Sequence, residues 1–192
     1  MNVCLAEKSD ASQISEIHQR EMEKGFLSSL GAPFLQKFYE AIIISKHSFC
    51  VVAKDGNVVE GFISGVTDIG LFYNFFFKKY FFVLIPMFLP KIFSFASVKK
   101  IIENIFYPQK IKNLPPAELL AIAVEKEFQR QGIGARILEK FINEMKIRQI
   151  KVFKVLVGKE MDSVKFYEKS GFQKIQEIDH HDKEPSIIFI YN

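Results

Sequence analysis

The chain has 192 residues, a formal net charge of +4 and a sequence pI near 8.9. Its 48% hydrophobic and 25% charged residues are ordinary for a globular protein and long enough in sum to build a real core. The basic residues are dispersed and form no arginine-rich arm, which argues against a nucleic-acid partner; less usual are 21 phenylalanines beside no tryptophan.

Asn2–Asp10 reads as a first strand, and Asp10 followed by Gln13 resembles a capping box that opens a helix through about Glu23. The segment before it lacks a basic stretch followed by an apolar one, so a cytoplasmic location is expected. Gly25, Gly31 and Pro33 break the pattern, and a second helix is expected from about Pro33 to Ser45. Two apolar strands then flank Asp55-Gly56-Asn57, the composition of a tight hairpin turn. Cys4 and Cys50 fall in strand-like stretches without CxxC spacing and read as reduced buried thiols.

From Asp68 to Pro116 the regular pattern is interrupted by a Phe-rich stretch, in which Pro86 and Pro90 are expected to break helix. Lys91–Phe106 is amphipathic, with Phe95, Val98, Ile101, Ile102 and Ile105 on one side. Three roles suit the insertion: a helical layer over the sheet, a membrane-surface contact through its Phe and Lys faces, or a homodimer interface. After it come a strand (Glu118–Val124), a Gly-rich turn, and a helix over about Ile133–Ile147. A strand (Phe153–Val157), a short helix (Asp162–Lys169) and two last strands (Phe172–Asp179 and Ser186–Tyr191) complete the order of a mixed α/β sheet. Asp179–Glu184, with its adjacent histidines, reads as a loop rather than a metal site, and no metal is expected.

The turn Gln129-Arg130-Gln131-Gly132-Ile133-Gly134-Ala135 carries the chemistry. Glycines between a strand and a helix let consecutive N–H groups wrap an anion at the helix N-terminus. A dinucleotide fingerprint would need a glycine where Ile137 stands, and a Walker A loop would need a lysine and a hydroxyl that are missing. The remaining form, Q-x-x-G-x-G/A, recurs with a second piece downstream, Phe166-Tyr167 followed by Gly171-Phe172.

On these two pieces, in this order and spacing, the sequence resembles the GNAT superfamily of acetyl-CoA-dependent N-acetyltransferases. The resemblance implies one GNAT domain over residues 1–192, with a mixed, mostly antiparallel central sheet flanked by helices. The Phe-rich helical insertion, about 70–116, would lie between its third and fourth strands. It implies that the backbone of Ile122, Ala123 and Val124 holds the pantetheine arm, with an N–H near Ala123 polarising the thioester carbonyl. Gln129, Arg130, Gln131, Gly132, Ile133, Gly134 and Ala135 would cradle the pyrophosphate, and Ser163 and Phe166 would complete the site. Ser163 stands where the motif usually has alanine. Tyr167 matches the tyrosine that protonates the departing thiolate.

Glu118 lies eleven residues before Gln129, a spacing similar to that of a general-base glutamate in histone-type members. Strand alternation would set it on one face with Leu120, Ile122 and Val124. The alternative is a strand-end glutamate with no chemical role. Glu21 and Glu23 lie where the resemblance puts the acceptor loop, either as anchors for a cationic acceptor or as plain polar helix positions. The expected activity is acetyl transfer to the amine of a small molecule or peptide by direct attack in a ternary complex. The rival is a non-catalytic acyl-CoA-binding module, associated or not with a membrane surface.

Overall fold

A computed structural model describes residues 1–23, 25–88, 114–159, 163–180 and 183–192. Its strands are β1 (Asn2–Leu5), β2 (Ser48–Asp55), β3 (Val58–Val66), β4 (Glu118–Val124), β5 (Phe153–Gly158), β6 (Gln173–His180) and β7 (Lys183–Tyr191). The helices are α1 (Ala11–Glu21), α2 (Phe26–Ser29), α3 (Ala32–Ile44), α4 (Ile69–Phe88), α5 (Ile133–Ile147) and α6 (Ser163–Lys169). The seven strands form one sheet in the order β1-β2-β3-β4-β5-β7-β6. All neighbours are antiparallel except β4 and β5.

Helices α1, α3 and α4 cover one face of the sheet, and α5 and α6 the other. The buried positions of α5, Ile133, Ile137, Leu138, Phe141 and Met145, recur at helical spacing and set its inward stripe. Gly65 on β3 makes room for this helix. A Cβ there would stand 2.8 Å from the Glu118 carbonyl and would collide with the Phe141 ring.

The start of α1 differs from the expected capping box. The Asp10 carboxylate accepts from the Glu7 N–H at 2.9 Å, closing a 3-10 turn ahead of the helix, and pairs with Lys54 at 3.1 Å. Gln13 instead reaches the β2–β3 hairpin, donating to the Asn57 carbonyl and accepting from the Val59 N–H, each at 2.9 Å. A side chain that finds two backbone partners 44 and 46 residues away gains more than a local cap offers. Cys50 is buried and Cys4 half-buried, both as free thiols.

The first part of the insertion is α4, and the Asp68 carboxylate caps it by accepting from the Leu71 N–H at 2.8 Å. Ile69, Phe72, Tyr73, Phe76, Tyr80 and Leu84 form its buried stripe. Phe76 meets Phe34 and Phe38 edge to face, both with ring centroids 5.6 Å apart, and Phe38 meets Phe72 at 5.5 Å. Such aromatic pairs add to the area they bury. The described part of the insertion is therefore a helical layer docked on α3. The helix continues past Pro86 to Phe88, because one lost backbone bond near its end is outweighed by the stripe upstream. Pro90 and the amphipathic Lys91–Phe106 lie outside the described residues. Among the described residues no helix is long and apolar enough to cross a membrane.

Truncating Phe76, which is fully buried, leaves a cavity at this seam. Phe76→Ala is expected to cost about 3–5 kcal/mol of stability, read as a lowered urea midpoint.

Candidate active site

The two parallel strands at the centre of the sheet stay together only briefly. Their register is Glu118↔Lys154 and Leu119↔Val155, and no pair follows. Here β4 also carries a bulge: Ser64 on β3 faces Ala121 while the next residue, Gly65, faces Leu119, leaving Leu120 unmatched. Beyond this point β4 and β5 part, and a cleft of about 740 Å³ opens against Leu119–Val124, Val155–Val157, the Gly-rich turn and α6.

The register decides which backbone groups face the gap. Glu125 donates its N–H to the Glu60 carbonyl at 2.9 Å, continuing the β3–β4 ladder. Antiparallel pairing alternates, so Ala123, two residues earlier and opposite Phe62, also turns its N–H and C=O to β3. The N–H and C=O groups of Ile122 and Val124 point the other way, where β5 no longer pairs. The amides turned to the gap are thus those on either side of Ala123.

The turn at the end of β4 is shaped for an anion. Arg130 and Gly132 have φ of 62° and 80°, so the left-handed conformation recurs just before α5. A Cβ at Gly132 would meet nothing within 4 Å, so its φ alone calls for glycine. The first N–H groups of α5 have no acceptor within the helix and carry the positive end of its dipole. Arg130, Lys165 and Lys169 line the same cleft with positive charge. Gln129, Ile133, Gly134, Ala135, Ser163 and Phe166 also line it, whereas Gln131 turns away and donates to the Glu127 carbonyl at 3.2 Å.

Tyr167 lines the cleft from α6 and is 3% exposed, packed edge to face on Phe166 and Phe172. Burial raises the pKa of its phenol above the ordinary value, so the hydroxyl is a standing donor at neutral pH. Behind the β4 wall, burial holds His18 neutral with a pKa of about 4. Its Nδ1 lies 2.5 Å from the Tyr39 hydroxyl.

Glu118 is placed differently from the expectation. The bulge at Leu120 breaks the alternation, so Ile122 and Val124 pack on the α5 side of the sheet. Glu118 instead lies near Tyr73 of α4, whose pKa is raised by burial first and by the Glu118 charge second. It is buried beneath the cleft and does not line it. Its Oε2 lies 3.2 Å from Lys154 Nζ, an ion pair without hydrogen-bond alignment, and Lys154 donates to the Pro115 carbonyl at 2.6 Å. Sequence reading missed Lys154, because its role comes from the parallel register.

Glu21 lines the cleft but has both oxygens occupied. Oε1 accepts from the Lys126 N–H at 3.2 Å and Oε2 from Gln129 Nε2 at 3.0 Å. Gln129 also donates to the Val124 carbonyl at 2.9 Å, one of the groups turned from β3. The pattern Q-x-x-G-x-G/A pointed to Gln129, but nothing local linked it to Glu21, 108 residues earlier. Among the described residues no cluster could hold a metal ion.

A sheet whose central parallel strands part over a glycine turn, with a buried tyrosine opposite, is the architecture of the GNAT fold. Residues 110–183 match the model of the Acetyltransferase (GNAT) domain. Ribosomal-protein-alanine N-acetyltransferase from Brucella melitensis is similar in structure, with a TM-score of 0.64 at 12% identity over 99% of this chain and 98% of that one. The ribosomal-protein-S18-alanine N-acetyltransferase from Escherichia coli gives 0.60 at 16% identity, over 99% and 92%. An aminoglycoside 6'-N-acetyltransferase complexed with coenzyme A gives 0.59 at 14% identity, over 99% and 96%. A search of curated proteins by sequence found no match. The match to the GNAT domain thus covers residues 110–183, and the chain as a whole has the GNAT fold.

Burial raises the pKa of Glu118 above 4.5, partly offset by Lys154. The folded state therefore holds this proton more tightly than the unfolded one. The stability Glu118 contributes is complete below pH 4.5 and lost as pH rises through the raised value. Glu118→Gln lacks that loss, so its stability relative to the wild type should climb with pH from 4.5 upward and then level off. Urea unfolding at a series of pH values reads the slope, and a flat difference would refute it.

Proposed function

We propose that this protein transfers the acetyl group of acetyl-CoA to a primary amine, by direct attack within a ternary complex. One observation carries the reading: β4 and β5 part immediately after Leu119 and Val155. The parting leaves the outward amides of Ile122 and Val124 in the same cleft as the left-handed turn and Tyr167. A pyrophosphate suits the N–H groups of residues 130–135, with Arg130, Lys165 and Lys169 supplying countercharge. A pantetheine arm carries amides of its own, and the two outward amides on β4 match them as an added strand would.

In this reading a neutral amine attacks the thioester carbonyl, a C–N bond forms and the C–S bond breaks. An outward amide of β4 stabilises the developing oxyanion, a contribution of about 3 kcal/mol for one aligned donor. The Tyr167 hydroxyl donates to the departing thiolate, and the buried phenol is protonated throughout the working range. The proton lost by the amine passes to water, since Glu118 lies off the cleft wall. Glu21 is engaged by Lys126 and Gln129, and in this reading it holds the turn rather than the acceptor. The similar structures are named for a ribosomal-protein alanine and an aminoglycoside, so they do not single out an acceptor.

Free-thiol release from acetyl-CoA across a panel of amines tests the proposal. Tight CoA binding with no amine acetylated would leave a non-catalytic acyl-CoA-binding module instead. Tyr167→Phe should lower kcat by about 10²-fold while CoA affinity stays unchanged; equal turnover would remove Tyr167 from the chemistry.

A further inference from the structure

The carboxylate of Glu21 is the hinge between two walls of the cleft that come from distant parts of the chain. On one side it holds the anion turn, through the Lys126 N–H and Gln129 Nε2. Gln129 passes the contact on to the Val124 carbonyl. On the other side Glu21 ends α1, and the next residue, Met22, lines the cleft and organises the α1–α2 segment. The Met22 carbonyl accepts from the Gly25 N–H at 2.9 Å and from Ser28 Oγ at 2.7 Å. Arg20 adds an ion pair to Glu125 beside the same joint. Hydrogen bonds, with the peptide link from Glu21 to Met22, thus join the end of β4, through Gln129 and Glu21, to Gly25 and the Ser28 side chain of α2.

We propose that Glu21 is a positioning residue that makes the anion turn and the α1–α2 wall one unit, so that an occupied turn holds the α1–α2 segment in place. The inference rests on the reading of this turn as the site of the CoA pyrophosphate. Binding there fixes the backbone that Lys126 and Gln129 share with the ligand-holding residues. A carboxylate with two acceptor oxygens can serve both donors at once, whereas a carboxamide has one oxygen to offer.

Residue-resolved amide exchange, with and without saturating CoA, tests this in the full chain. The reporters are Gly25 and Gly31, whose N–H groups bond to the Met22 and Ser28 carbonyls. In the wild type, CoA should slow exchange at both. In Glu21→Ala, CoA should bind about 10-fold more weakly, a loss of roughly 1.4 kcal/mol, and at saturation should leave exchange at Gly25 and Gly31 unchanged. Glu21→Gln should retain part of the slowing. Glu23→Ala, an exposed carboxylate two residues on, should behave as the wild type and controls for simple loss of charge. Equal slowing in the wild type and Glu21→Ala, or none in the wild type while CoA binds, overturns the coupling. No CoA binding by the wild type overturns the reading of the turn itself, a result separable from the other two.

Discussion

The feature on which the rest of the site depends is the short pairing between β4 and β5. Two parallel strands in a sheet ordinarily continue together, since each unpaired backbone group left in a dry interior is costly. Here pairing stops after Leu119 and Val155, and the bulge at Leu120 starts the divergence. The free edge of β4 then has N–H and C=O groups with no strand to receive them. In the proposed reading a ligand with amides of its own meets that deficit. The cleft is in this sense a missing stretch of sheet.

The parting is held from both sides. Below it, the Glu118–Lys154 pair and the Lys154 contact to the Pro115 carbonyl tie the strands one residue before their last paired position. Burying two charges there is expensive, and a buried pair is better understood as fixing register than as adding stability. Above it, Gly65 admits Phe141, so α5 packs tightly enough to bring its N-terminus to the end of β4. The anion turn stands where it does because the helix behind it is anchored by this packing. On the opposite face, α4 closes the core of α1 and α3 with stacked and edge-on rings, which accounts for part of the phenylalanine content.

The strand and helix order was readable because each element has a clear period and its turns have clear chemistry, as at Asp55-Gly56-Asn57. The anion turn was readable for a local reason: a left-handed backbone at Gly132 demands glycine and so leaves a mark in the sequence. Contacts that depend on partners across the fold leave no such local mark. Gln13 looks like a cap residue but bonds to the hairpin, and Glu21 looks like a free carboxylate but has both oxygens engaged. Glu118 looks like one of a strand's alternating set, yet a bulge two residues later moves Ile122 and Val124 to the other face while Leu120 stays on the face of Glu118.

The sequence by itself determined the mixed α/β order of the main strands and helices and the glycine turn after β4, because these depend on neighbours a few residues apart. Only the tertiary structure decided which amides of β4 face the gap, where Glu118 lies and what Glu21 holds. Those depend on register, on a single-residue bulge and on contacts more than 100 residues apart. No local pattern encodes them, since a one-residue slip in a strand exchanges its two faces while leaving the composition the same.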